Sequence, residues 1–384
     1  MARPAAAEGS AHAAAVEPDL RSAVLRLLAD REDALRRGDR TAFLATLDPD
    51  ADADGRLART QARWFDNLAR LPAADISYSV GDQGLLASAA EEGTTQVVVD
   101  FTMRLAGFDA HPATRPMVWT VTRDGDRVLL AGERSARADQ VREPWDVSSI
   151  DVRRSPGLLG VFGAGVSADA LMAAASRARD HVRAQLGRWD GRAVVYAVSG
   201  ADGTGPDHAG AQVRVVPRRP GSGRVAGQRL ALDPDLLDGP LARDLTLRHE
   251  MAHLALGTLD DHSPVWLIEG AAELVARADV PLATRLALAG SALPGPGEEP
   301  VVGLPRGAEF YGSDAGTNYE LATLVCDYLA RDRGLPALWD LMRAYRQAGA
   351  DADTDRLLLA ETGHDSEGLA SAALAWFNEH PNAG

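Results

Sequence analysis

Residues 249–253 read His-Glu-Met-Ala-His inside a stretch, 240–256, whose apolar spacing is that of an α-helix. Gly257 follows at the position where helices end on a residue without a Cβ. At 3.6 residues per turn, His249 and His253 stand about 40° apart and one turn from each other, so both imidazoles can reach one metal ion. Glu250, one position on from His249, flanks the same face. A fold built around this helix must supply a third ligand from another element, because a zinc site that does chemistry uses three protein donors and leaves one position for water.

The residues after Gly257 narrow the position of that ligand. Leu256 and Leu259 stand where the metzincin pattern has glycine and a third histidine, which excludes that pattern. Ser263-Pro264 predicts a new helix, with serine as N-cap and proline at the first helical position. It continues Trp266-Leu267-Ile268-Glu269-Gly270-Ala271-Ala272-Glu273, and Glu269 lies 16 positions after His253, enough for a loop and a return helix to set its carboxylate beside the histidines. Glu273, one turn further on the same face, is placed to accept the other ring N–H of a ligating histidine. His262, beside Asp260 and Asp261, is the rival third ligand, in a poorer frame.

Composition closes off other chemistries. The chain has 384 residues, 46% apolar against 25% charged, enough for a full core and more than one ordinary domain. Its net charge of -15 has the wrong sign for holding nucleic acid through phosphates, so no nucleic-acid partner is expected. All 40 basic residues are arginine, which excludes Schiff-base chemistry and the phosphate-loop lysine. The single cysteine, Cys326, excludes an internal disulfide, a thiolate zinc site and an iron–sulfur cluster. It sits among Leu321, Leu324, Val325 and Leu329 in a helical run and reads as core. No run approaches the roughly 18 apolar residues of a transmembrane segment; the nearest, 157–166, is short and glycine-rich.

The expected fold class is α+β in two domains. Residues 1–17 form an alanine-rich tail expected to be disordered. Residues 18–148 begin with helices from 19, at 41–47 and at 57–71, and continue with alternating, β-branched runs at 76–80, 96–105, 117–123 and 127–132, the last two joined at Asp124-Gly125 in the manner of a hairpin. Helices followed by a curved antiparallel sheet suggest a small α+β cone, an order that resembles the nuclear transport factor 2-like (SnoaL-like) fold. Residues 149–384 are expected to be mostly helical with a small sheet: a helix from 167 to 186, strands at 192–198, 212–216 and 228–232, then helices from 240 onward. The strand at 228–232 is expected to form the edge on which an extended substrate adds.

The pattern His249-Glu250-x-x-His253, followed by Trp266-Leu267-x-Glu269-Gly270-x-Ala272-Glu273, resembles the gluzincin, or peptidase MA-like, zinc metallopeptidases, and the resemblance covers roughly 150–384. It implies a zincin-type fold, a bound zinc held by His249, His253 and Glu269, and Glu250 as general base. It also implies Tyr319, opening a helix after the site and followed by Tyr328-Leu329, as the oxyanion donor. Tyr311, in the glycine-rich approach to the same helix, is the rival for that role, since its loop could fold over the cleft. The implied partner is a peptide or protein substrate. No Gly-x-Met-Glu-Asn stretch of the aminopeptidase branch occurs, which leaves endopeptidase as the expected mode. Relatives of this shape are often exported or anchored outside the membrane, so an exterior location is the expectation if a signal or anchor precedes this chain. The alternative from a different class is a protein that keeps the fold and binds peptides or small ligands without cutting them.

Two further motifs carry alternatives. Asp50-Ala-Asp52-Ala-Asp54-Gly55 matches the start of a calcium loop, but Gln61 stands where the bidentate glutamate belongs, so a solvated interhelical loop is favoured. Five arginines between Arg214 and Arg229 form a basic run whose usual setting is a solvated loop.

Overall fold

The structure, a computed structural model, describes residues 8–86, 93–138, 142–198, 211–233, 235, 239–281, 284–285 and 303–380, apart from the side chains of 8–19, 83–86, 258 and 260. The chain mixes helices with two sheets. Helix α1, Glu8–Arg37, starts within the 1–17 segment expected to be disordered, because alanine-rich composition favours helix. Its stripe of Ala23, Val24, Leu27, Leu28 and Ala34 is buried. Helices α2, Arg40–Leu44, and α3, Arg56–Leu68, follow. Both oxygens of Asp52 accept backbone amides at the start of α3, from Leu57 at 2.8 Å and Ala58 at 2.7 Å. The acidic run at 50–55 thus acts as a helix-capping turn.

Strands β1 Ala73–Leu86, β2 Thr94–Leu105, β3 Ala113–Asp124 and β4 Arg127–Ser135 pair in sequence order as an antiparallel sheet. The four expected runs lie inside them. Asp124 pairs with Arg127, so the hairpin loop is Gly125-Asp126, with Gly125 at φ +60° as such a tight turn requires. Register shifts at 74/77 and 80/85 in β1 and at 120/121 in β3 mark bulges, which bend strands.

A short helix, α4 (Pro144–Val147), leads to the second sheet. Its strands are β5 Ile150–Ser155, β6 Leu158–Gly163, β7 Ala193–Ala197, β8 Ala211–Pro217 and β9 Val225–Leu232, in the order β5-β6-β7-β9-β8. Helix α5, Ala168–Gln185, makes the crossover between the parallel strands β6 and β7. The strand expected at the edge lies inside the sheet: β9 pairs with β7 on one side and with β8 on the other. The β8–β9 hairpin folds back on itself, and that gives the edge to β8.

Both faces of this sheet are covered, and the period of two along each strand divides its residues. Leu159, Val161, Val194 and Tyr196 join the core that also contains Phe101, Trp119 and Leu130 of the first sheet. Leu158, Phe162, Ala193, Val195 and Ala197 face α5 and helix α6, Pro240–Leu256. The two sheets therefore share one continuous core. Arg229 of β9 reinforces the junction with a bidentate pair to Asp109 in the β2–β3 loop, at 2.5 and 2.8 Å, and a bond from its Nε to the Tyr196 hydroxyl at 2.8 Å. Helices α7 Val265–Ala276, α8 Ala315–Arg333, α9 Leu335–Ala348, α10 Thr354–Thr362 and α11 Ser366–Glu379 enclose a separate core that includes Cys326, fully buried. Among the described residues no helix is long and apolar enough to cross a membrane.

Candidate metal centre

Helix α6 opens at Pro240 and ends at Gly257, whose φ of +57° and ψ of −121° suit a residue without a side chain. Its inward face carries Leu247, Met251 and Leu254, which fix the rotation of the helix and turn His249 and Glu250 inward. The chain then returns as α7. Ser263 does not cap this helix as expected: its buried hydroxyl has no hydrogen-bond partner among the described residues, and Pro264, with extended backbone, takes the N-cap position. The shift is a single residue and leaves the inward face unchanged, with Trp266, Leu267, Glu269, Gly270 and Ala271 buried.

Gly270 sets the depth of α7. A Cβ there would lie 2.4 Å from the Ala322 carbonyl oxygen and 2.7 Å from Cys326 Sγ, so α7 and α8 pack closer than a larger residue would allow. Glu269, its neighbour in sequence, is thereby held against α6.

The side chains of His249, His253 and Glu269 converge. Nε2 of His253 lies 3.0 Å from Nε2 of His249, and Glu269 Oε2 is 3.1 Å from the first ring and 3.4 Å from the second. A tetrahedral ion held at about 2.0–2.1 Å requires donors about 3.3 Å apart, so this donor set fits zinc in both chemistry and spacing. Behind it, Glu273 Oε1 lies 2.9 Å from Nδ1 of His249, directing the Nε2 lone pair toward the cluster. Arg277 Nε is 2.6 Å from Glu273 and its Nη1 is 3.0 Å from Glu320, so the support runs through four residues into α8. Arg277 and Glu320 were not apparent from sequence, although the spacing of four between Glu273 and Arg277 is the signal of a helical ion pair. His262 is exposed at φ +65° and stands outside the cluster.

Electrostatics follow from this arrangement. Burial opposes charge on His249, but Glu273 and Glu269 outweigh it and hold the imidazole pKa well above its ordinary value. Burial likewise opposes charge on Glu269, yet hydrogen bonding to both imidazoles keeps its pKa below the usual carboxylate range. Glu250 is the opposite case. Burial raises its pKa, against the attraction of the two histidines and a hydrogen bond from the Val213 amide of β8.

The two tyrosines occupy different places. Tyr311, in a single 3-10 turn at Gly307–Tyr311, donates its hydroxyl to Glu269 Oε1 at 2.7 Å. Tyr319 of α8 lies with its ring 6.1 Å from that of His249 and packs edge-on against Phe310 at 4.8 Å. Burial first, then the nearby carboxylates, raise both phenol pKa values, so both hydroxyls keep their protons near neutrality.

No protein-family model matches the chain. No curated protein matches it either. Among solved structures, an M1 zinc metallopeptidase from Deinococcus radiodurans aligns at 17% identity and a TM-score of 0.36, over 78% of this chain and 70% of that one. A mutant of an M1 zinc metallopeptidase from the same organism, bound to a Tyr-Ser-Ala substrate, aligns at 14% identity and a TM-score of 0.34, over 79% of this chain and 61% of that one.

Proposed function

We propose that the chain is a zinc metallopeptidase of gluzincin type, with His249, His253 and Glu269 as metal ligands and Glu250 as general base. The observation that carries this reading is the meeting of two imidazole nitrogens and a carboxylate oxygen at 3.0–3.4 Å, with Glu273 behind one ring. Zinc held there supplies a Lewis acid for a carbonyl oxygen and lowers the pKa of a water toward about 7.

The chain's own groups account for the proton. Glu250 takes a proton from the water that adds to the peptide carbonyl carbon, and passes it to the nitrogen as the C–N bond breaks. Its burial-raised pKa suits a group that must hold a proton between those two steps. A protonated tyrosine hydroxyl donates to the developing oxyanion. Tyr319 is assigned that role by family position, and the bond from Tyr311 to Glu269 makes Tyr311 the alternative donor. The edge strand β8, whose Val213 amide reaches Glu250, offers an extended substrate a backbone to pair with, which suits an endopeptidase. Residues 18–148 are read as a nuclear transport factor 2-like unit that positions substrate, in front of a metallopeptidase domain from 149.

Elemental mass spectrometry on protein purified without a histidine tag tests the reading. About one zinc per chain is expected in wild type and none in His249→Ala. An unchanged metal content in His249→Ala, or no zinc after reconstitution of wild type, contradicts it.

A further inference from the structure

The two oxygens of Glu269 face different partners. Oε2 lies 3.1 and 3.4 Å from the two imidazole Nε2 atoms, and Oε1 accepts the Tyr311 hydroxyl at 2.7 Å. Tyr311 itself is 57% exposed, so its own burial does not hold it there. The turn that carries it does. Phe310, the preceding residue, is fully buried and packs edge-on against both Tyr311 and Tyr319, with ring centroids 5.2 and 4.8 Å away. Asn318, one residue before Tyr319 on α8, donates its side-chain amide to the carbonyls of Phe310 at 3.0 Å and Glu309 at 3.3 Å. The Gly312 amide closes the turn on the Glu309 carbonyl at 3.1 Å. A buried aromatic anchor and a side-chain clamp from α8 thus aim one exposed phenol at one carboxylate oxygen.

We propose that Tyr311 is the positioning residue of Glu269: its hydroxyl holds Oε1 so that the carboxylate presents Oε2 alone to the metal. The inference rests on the metal reading of His249, His253 and Glu269 and assigns within it a role that the ligand set leaves open. A hydrogen bond to a carboxylate is charge-assisted and among the stronger ones, so turning both oxygens onto an ion would first have to break it. Two imidazoles and one carboxylate oxygen make three protein donors, which leaves a position for water; a carboxylate bound through both oxygens would crowd it. The arrangement parallels that at His249, where Glu273 fixes the ring from its far nitrogen at 2.9 Å. A tyrosine hydroxyl has a single proton to donate. With that of Tyr311 committed to Glu269, Tyr319 is left as the donor to a developing oxyanion.

Zinc affinity of the full chain, measured by competition with a chelator in wild type, Tyr311→Phe and Tyr319→Phe, tests it. Tyr311→Phe keeps the ring and removes only the hydroxyl, and should lower zinc affinity about 10–100-fold, the scale of losing a group that orients a ligand. Tyr319→Phe should bind zinc as wild type does. The visible absorption of the cobalt(II)-loaded protein gives a second readout, because four-coordinate cobalt(II) absorbs more strongly than five-coordinate. Wild type and Tyr319→Phe should show the stronger, four-coordinate spectrum, and Tyr311→Phe a weaker one as Glu269 becomes free to bind through both oxygens. Asn318→Ala, which loosens the turn and keeps the phenol, should lower zinc affinity in the same direction by less, and serves if Tyr311→Phe does not fold. Wild-type zinc affinity in folded Tyr311→Phe, or an equal loss in Tyr319→Phe, overturns the proposal while leaving the metal reading in place. Wild-type protein that binds neither zinc nor cobalt(II) overturns that reading and this inference with it.

Discussion

Two buried polar assemblies meet neighbouring residues of strand β8, and they are built in opposite ways. On one side the Val213 amide holds Glu250, beside histidines and carboxylates drawn from two consecutive helices. On the other, Arg214 lines a cavity with Glu143 and Trp145, close to the Arg229–Asp109 pair that joins residues 120 positions apart. The first assembly is dense: its carboxylates and imidazoles bond to one another and converge on the space between three donors. The second is a set of ion pairs, the tight Arg229–Asp109 pair and the looser Arg214–Glu143 pair at 3.9 Å, around a space between the two sheets. The difference teaches that the same strand borders one polar site organised by helix periodicity and another organised by the docking of two sheets.

Substitutions can break that comparison. The largest effect on stability is expected from Asp109→Ala, which leaves the Arg229 guanidinium buried without its counter-charge and should cost about 3–5 kcal/mol. Urea unfolding measures it, and zinc content at saturating metal should stay that of wild type. A loss of zinc binding in the folded variant would show that the two assemblies are not separate. Glu273→Gln should act the other way, lowering zinc affinity about 10–100-fold in a competition titration with a chelator while changing the unfolding midpoint of the metal-free protein little. Arg277→Met should lower affinity by less than Glu273→Gln, below about tenfold, because it reaches His249 only through Glu273. A larger loss in Arg277→Met than in Glu273→Gln would contradict the order of that chain of contacts.

How much was legible in the sequence follows the same division. Helix α6, its end at Gly257 and the inward set His249, Glu250, Glu269 and Glu273 were readable because helix periodicity operates within a few residues. The alternating strands of the first sheet were readable for the same reason, with period two in place of 3.6. The hairpin β5–β6 was not: Leu158–Gly163 is buried along its whole length, so it lacks alternation and reads as a glycine-rich apolar run. The order of β8 and β9 depends on which strand pairs with β7, a contact between residues 35 positions apart that no local pattern records. Arg214 and Arg229 belong to a basic run whose usual setting is a solvated loop, yet Arg229 is 3% exposed and the Arg214 side chain is 11% exposed. Their partners Asp109 and Glu143 lie in a different part of the chain.

Zinc content and peptide hydrolysis measured together in Glu269→Ala and Glu250→Gln test the central claim most directly. The account predicts that Glu269→Ala loses the metal, and that Glu250→Gln keeps about one zinc per chain while hydrolysis of a peptide library falls about 10²–10⁴-fold. Wild-type zinc content in Glu269→Ala, or wild-type hydrolysis in Glu250→Gln, would contradict it.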